Sequence, residues 1–460
     1  MALSPQRAAL YRTVWRWHFY AGLFVIPFIL LLAATGAAYL FKPQVERWEE
    51  RAFRTPVVER VVLPSAQVEA ALAAFPGARF ASYRLPEQPG DAAMVHVAMA
   101  DGRTMRDIFV SPAGTVMGSL DPESRIMETL KTIHGELLLG SRGSWLVELA
   151  ASWAMVLVLS GLYLWWPRDR RLAGVLWPRL RAGKRLFWRD LHAVTGFWIA
   201  GLVVVLLVTG LPWAGLWGSA FKAARSELGW VKGAQDWTIG GEAPSGGDDL
   251  HAGHDHRAML RHGAHHPTAS VPDGLDEVVL KAQSEPLAFP VLVSPPGAPG
   301  PFGQPGTAGW SIRSDAQNRP LRVTITVDPG TLRETGRETF PDKHVVDRIV
   351  GYGIAWHEGQ LFGWVNQLIG VLTALGLMVM AASGFILWRR RKPADALGAP
   401  PPAHVPARMG GAVAILLLLA ALLPLLAASL IALWLFERLV LPRLPGLAGW
   451  LGIARRAAAS

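Results

Sequence analysis

Five stretches of this chain are apolar over the length needed to cross a lipid bilayer, and nothing else in it constrains the fold as much. They run roughly over residues 18–41, 144–166, 192–217, 363–388 and 411–436. A helix needs about 20 apolar residues to span the hydrocarbon core. Backbone polar groups meet no water there, so each stretch must satisfy its own hydrogen bonds as a helix. The first stretch is too long for a secretory signal, and no convincing small-residue cleavage site follows it. With 51% apolar and 17% charged residues, the expectation is a mainly α, polytopic membrane protein whose first partner is the lipid bilayer.

The spans repeat. In the first, His18 is followed by Gly22 and then by Thr35-Gly36; in the third, His192 is followed by Gly196 and then by Thr209-Gly210, at the same spacings. A second pair of segments behaves alike. His134 opens HGELLLG, with Ser160-Gly161 closing the apolar run; His357 opens HEGQLFG, with Ser383-Gly384 closing its run. The order is type A, type B, type A, type B, which reads as an internal duplication. A four-helix transmembrane core plus a fifth helix follows.

Basic residues orient it. Between Arg168 and Arg189 there are eight Lys/Arg against one acid, Asp169. Arg389, Arg390, Arg391 and Lys392 end the fourth span, and Arg7, Arg12 and Arg16 precede the first. By the positive-inside rule these ends, the N-terminus included, are cytoplasmic. Five spans then put the C-terminal end outside. The net charge of +10 is in this reading a topology signal, and no nucleic-acid partner is expected. The chain has no cysteine, which excludes disulfides, iron–sulfur clusters, thiolate ligation and covalent c-type haem attachment.

The expected order is an N-terminal segment with the first span (1–41), an external domain (42–133), a second span (134–167), a basic loop (168–189) and a third span (190–217). A longer external domain (218–356), a fourth span (357–392), a linker (393–410), a fifth span (411–436) and a tail (437–460) complete it. The external segments read as two small α+β domains. LPSAQVEAALAAF is a short helix capped by Ser65, AMVHVAMA alternates like a strand, and RDIFVSPAGTVMG and LRVTITVDPGTLRETG are strand–turn–strand units. The second domain carries a loop with His251, His254, His256, His262, His265 and His266. Imidazoles are common ligands for divalent metals, so this loop is either a polar linker or a metal-binding element. His96, His344 and His404 read as ordinary polar residues.

Ionisable groups at membrane depth are functional candidates. His18 and His192 stand at the cytoplasmic ends of their spans, and His134 and His357 near the external ends of theirs. Each level holds one histidine from each repeat, as a pseudo-twofold axis along the membrane normal would produce. Two imidazoles from facing helices can ligate one haem iron axially. Gly22 and Gly196 would leave room for a porphyrin at the inner level, and Gly36 and Gly210 at the outer. Gly161 and Gly384 reach the inner level on the other helices. The competing reading is four interfacial histidines with glycines kept for helix packing.

The segments WRWHFYAGL, IHGELLLG with WHEGQLFG, SGLYLWWPR with SGFILWRRR, and the VDPGT turn resemble the PepSY-associated transmembrane family, over about residues 10–393. That family includes bacterial iron-regulated inner-membrane proteins and ferric-siderophore reductases. The resemblance implies a four-helix core with PepSY-like periplasmic domains, two bis-histidine haem b groups, and delivery of electrons to a periplasmic ferric chelate such as a siderophore. The donor would be a cytosolic reductase or a quinol. The alternative is a non-enzymatic membrane protein that binds or senses metal through the external domains and the His-rich loop.

Overall fold

The computed structural model describes residues 4–54, 61–101, 104–167, 173–181, 183–230, 270–298, 306–403 and 408–453. The six histidines at 251–266 and His404 lie outside them. The chain divides into two units. One comprises Met1–Ala37, His134–Gly218 and Ile369–Ser460, and the other Ala38–Ile133 and Ser219–Leu368.

In chain order the α-helices are α1 (Pro5–Tyr39), α2 (Lys42–Glu49), α3 (Pro64–Ala74), α4 (Ile126–Glu136), α5 (Ser141–Trp165), α6 (Lys184–Gly210) and α7 (Gly215–Glu227). They continue as α8 (Leu275–Ser284), α9 (Val345–His357), α10 (Trp364–Arg391), α11 (Gly410–Leu422), α12 (Pro424–Leu435) and α13 (Pro445–Trp450). Five helical segments are long and apolar enough to cross a membrane: Pro5–Tyr39, Ser141–Trp165, Lys184–Trp213, Trp364–Arg391 and Pro424–Arg443. Such segments tolerate water-free surroundings because each backbone N–H and C=O is paired inside the helix.

In the first unit α5 packs on α6, with Trp165 stacked on Phe197 at 4.0 Å between ring centroids. The expected single fifth span is instead two helices. Leu423 takes φ −125° and ψ 91°, the extended conformation that a following proline imposes, and Pro424 starts α12. The two form a hairpin. Its tip is held by the indole N–H of Trp217, which donates to the Leu422 carbonyl at 3.0 Å, while Leu423 and Leu426 pack on Val156 of α5. Its feet return to the starting level. Arg16 donates to the carbonyls of Pro400 and Gly452, the Tyr20 hydroxyl to that of Leu451, and the Leu397 N–H to that of Trp450. The segment after the hairpin therefore lies at the Arg16 end of α1, not at the opposite end as five separate spans would require.

The second unit holds one eight-stranded antiparallel sheet in the order β4-β3-β2-β1-β5-β6-β7-β8. Its strands are β1 (Arg79–Arg84), β2 (Ala93–Ala98), β3 (Met105–Val110), β4 (Val116–Leu120), β5 (Val291–Ser294), β6 (Trp310–Ser314), β7 (Val323–Val327) and β8 (Glu334–Thr339). The two strand sets expected in separate domains join through β1 and β5, with Tyr83 opposite Val293 and Arg84 opposite Leu292. Edge strands left open invite pairing, and here each set closes the other's edge. Alternate residues, among them Phe80, Val95, Val97, Ile108, Val293, Trp310, Ile312 and Ile325, form one core with Val68 and Ala71 of α3 and Val278 and Val279 of α8. Ser65 does not cap α3. Pro64 is its first residue, and the N–H and hydroxyl of Ser65 donate to the Asp276 carboxylate of α8 at 2.7 and 2.6 Å.

The other face of the sheet carries ion pairs beside a small apolar cluster of Met94, Phe109 and Phe53. Arg84 forms two hydrogen bonds with Glu50, and Arg125 bonds Glu49 and Glu50. His96 is buried, with Nδ1 2.5 Å from Asp107 Oδ1. His344 is the N-cap of α9, its Nδ1 accepting from the Val346 N–H at 3.2 Å.

Candidate functional site

Each of three membrane histidines sits on a hydroxyl–glycine doublet of a neighbouring helix. His18 of α1 faces Ser160-Gly161 of α5, with Nδ1 2.9 Å from Ser160 Oγ. His192 of α6 faces Ser383-Gly384 of α10, with Nδ1 3.2 Å from Ser383 Oγ and 3.0 Å from the Met380 carbonyl oxygen. His134, in the last turn of α4, faces Thr35-Gly36 of α1, with Nδ1 3.0 Å from Thr35 Oγ1.

The glycines admit the imidazole rings. A Cβ on Gly161 would stand 3.3 Å from His18 Cε1, one on Gly384 3.3 Å from His192 Cε1, and one on Gly36 3.1 Å from His134 Cε1. Carbon atoms prefer about 3.5–4.0 Å, so any side chain there would push the ring away. At the other two inner-level glycines, a Cβ on Gly22 would stand 3.8 Å from Leu157 Cδ2 and one on Gly196 3.1 Å from the Met380 side chain.

The hydroxyl contacts allow the ring tautomer to be assigned. A serine hydroxyl has one proton to donate. That of Ser160 goes to the Val156 carbonyl at 2.7 Å, that of Thr35 to the Leu31 carbonyl at 2.8 Å, and that of Ser383 to the Met380 carbonyl at 3.1 Å. Toward the imidazole each hydroxyl oxygen therefore accepts, and a carbonyl such as that of Met380 accepts by necessity. All three Nδ1 atoms are donors. The tautomer assigned from these contacts leaves Nε2 with its lone pair, the state in which histidine ligates a metal.

His18 and His192 face each other, with ring centroids 6.3 Å apart and ring planes at 87°. At that separation the two imidazoles could hold one metal ion between them. His357 ends α9 in the second unit, as His134 lies in the last turn of α4. Each is followed by a turn with left-handed residues, Leu137, Leu138 and Gly140 after one and Gly359 and Gly363 after the other, before the next long helix begins. Thr209 donates its hydroxyl to the Val205 carbonyl at 2.7 Å. No group of three or more His, Cys, Asp or Glu arranged for a metal ion occurs among the described residues.

Two buried acids brace this unit. Asp190, two residues before His192, is fully buried and accepts from Arg179 (Nε at 2.7 Å, Nη2 at 2.9 Å, backbone N at 3.2 Å) and from Arg189. The indole N–H groups of Trp165 and Trp198 donate to the carbonyls of Val175 and Leu176, which holds the loop before α6. Glu148 of α5 accepts the backbone N–H groups of Leu216 and Trp217 at 2.9 and 3.3 Å, closing the first turn of α7 with a negative charge. Sequence reasoning assigned no role to either acid or to the seat hydroxyls. The signal for the hydroxyls was present: a Ser or Thr precedes glycine at 35, 160, 209 and 383.

No curated protein matches the chain. The family model described as the PepSY-associated TM region matches residues 15–391, a stretch that starts just before His18, takes in all four histidines and ends with α10. The chain is a membrane protein that belongs to the PepSY-associated transmembrane family.

Proposed function

We propose that this protein is an inner-membrane di-haem b electron conduit that reduces a ferric chelate, most specifically a siderophore complex, on the periplasmic side. The observation that carries the reading is the facing pair His18 and His192 at 6.3 Å, each with Nδ1 bonded to a neighbouring helix. Haem, when bound, supplies the one-electron carrier. His18 and His192 would hold it through Nε2, with Nδ1 of each bonded to a neighbouring helix and glycines beside the rings.

The basic ends support the direction. Arg16 and Arg391 stand at the His18–His192 end, so the positive-inside rule places that pair near the cytoplasm. It would accept electrons from a cytosolic reductase or a quinol. The second haem rests on the repeat in the sequence. His134 uses Thr35-Gly36 as His18 uses Ser160-Gly161, and the sequence counterpart of His134 is His357. Along α1, His18 and Thr35 are separated by about 26 Å at 1.5 Å per residue, so one helix carries a residue of each level. One electron converts Fe(III) in a chelate to Fe(II), which binds hard oxygen donors less tightly and is released.

Stopped-flow mixing of dithionite-reduced, haem-loaded protein with a panel of ferric chelates tests this. Reoxidation of the haem bands faster than in buffer, and its loss in His134→Ala, is the expected result. If no chelate exceeds buffer alone, the ferric substrate is wrong.

A further inference from the structure

We propose that α9 lies along the lipid–water interface at the Trp364 end of α10, with the face formed by Val345, Ile349, Tyr352 and Trp356 turned into the boundary between lipid headgroups and acyl chains. The proposal is independent of the haem reading above.

The two faces of α9 have different surroundings. Asp347, Gly351, Ile354 and Ala355 are buried within the second unit. There Asp347 accepts from Arg225 of α7, and Gly351 lies against Phe340. Val345, Ile349 and Tyr352 follow one another at four and three residues, the spacing of one helix face, and none is charged. Together with Phe362 and Trp364 they are between 49% and 73% exposed. Trp356, next on that face, meets Phe362 at 6.1 Å between ring centroids. The apolar strip thus runs from α9 to the start of α10.

What the strip leads into identifies what covers it. α10 is one of the helices long and apolar enough to cross a membrane, and its joint with α9 is fixed. The buried Asn366 side chain accepts from the Leu361 N–H at 3.2 Å and donates to the Trp356 carbonyl at 3.1 Å. With α10 in the bilayer, α9 and its strip are held at the point of entry. A helix at that depth buries its apolar face in the headgroup–acyl boundary, and Tyr and Trp collect there because each joins an apolar body to a polar tip.

The other repeat carries the same positions. Ile126 stands eight residues before His134, as Ile349 does before His357, and Leu139 stands five residues after, as Phe362 does. Ile126 and Leu139 are also exposed. Scattered exposed apolar residues are ordinary on a protein surface; recurrence at corresponding places beside two membrane spans fits one bilayer surface met twice. Since His357 directly follows Trp356, seating this face in the interface also sets the height of His357 against the bilayer.

The chain has no cysteine, so one introduced cysteine carries the only spin label. The experiment is EPR power saturation on the full chain in phosphatidylethanolamine–phosphatidylglycerol vesicles, with labels at Ile349→Cys and Tyr352→Cys. Phe362→Cys, beside the span, serves as the near-lipid reference, and Leu280→Cys, on an equally exposed residue of α8, as the water reference. Oxygen concentrates in lipid and a water-soluble nickel chelate does not. The oxygen-to-nickel collision ratio at 349 and 352 is expected to exceed that at 280 severalfold and to approach that at 362. Ratios at 349 and 352 equal to that at 280 would put the face in water and overturn the proposal. Shielding from both reagents would mean that protein covers the face, such as a second copy of this chain, and would overturn it equally. Wild-type chain in the same vesicles doped with a diazirine phospholipid gives a readout free of any substitution: photo-adducts within residues 345–356 are expected, and their absence would overturn the proposal.

Discussion

Replacing Gly161 and Gly22 in turn compares a glycine that adjoins the His18 ring with one that adjoins Leu157. A Cβ at Gly161 would lie 3.3 Å from His18 Cε1, whereas one at Gly22 would lie 3.8 Å from Leu157 Cδ2, an ordinary contact. Both glycines are helical, and Gly→Ala in a helix interior gains about 0.5–1 kcal/mol. Gly22→Ala should therefore keep full haem content and unfold at slightly higher temperature. Gly161→Ala receives the same helix gain but must displace the ring by a few tenths of an ångström. An off-rotamer side chain costs about 0.5–1.5 kcal/mol, so haem affinity should fall up to about tenfold while the protein itself is no less stable. Gly161→Val adds atoms another ~1.5 Å toward the ring and should abolish inner haem binding. The assay is haem per chain by pyridine haemochrome, with thermal unfolding in the same detergent. Full inner haem in Gly161→Val, or its loss in Gly22→Ala, would refute the assignment of the seats.

Further outcomes follow from the charged groups and the hairpin. Asp190→Ala removes the buried carboxylate that ties Arg179 and Arg189 to the start of α6; faster proteolysis between residues 173 and 183 is expected, and unchanged cleavage would contradict it. Burial raises the Glu50 carboxyl, but the charges and hydrogen bonds of Arg84 and Arg125 outweigh it and hold the carboxyl below its ordinary value. Its contribution is then complete above the ordinary carboxylate range of about pH 4.3 and is lost as pH falls through the lowered value. The protection factors of the β2 and β3 amides in the full chain should fall on acidification, and less steeply in Glu50→Gln; identical slopes would remove Glu50 from the account. Reporters inserted after Gly452 and before Pro5 should read the same side of the membrane, since α11 and α12 turn back at Leu423–Pro424; opposite sides would contradict the hairpin.

Much of the membrane unit was legible because hydrophobic length and histidine spacing are local properties. The ends of α5 and α10 fall close to the apolar runs that mark them, whereas α6 starts eight residues before its run, and the doublets at 35, 160, 209 and 383 stand in the sequence. What those doublets do was hidden, since Ser160 and His18 are 142 residues apart and a glycine does not say which side chain fills its space. Gly22 and Gly161 look alike in sequence; only packing tells one from the other. Pro424 was readable as a break, yet the apolar run around it is continuous, and hydropathy alone carries through a proline. Joining of the strand sets at β1 and β5 depends on two edges meeting, for which no local residue pattern exists. Asp190 and Glu148 were passed over because burial of an acid shows only after its partners, Arg179 in one case and two backbone N–H groups in the other, are brought to it.

The central claim is that His18 and His192 share one haem. Haem content and low-spin EPR of purified wild type, His18→Ala, His192→Ala and the double variant test it most directly. The account predicts two bis-histidine haems per wild-type chain, loss of the same single low-spin signal in each single variant, and no further loss in the double. A wild type without haem, or single variants that lose different signals, would contradict it.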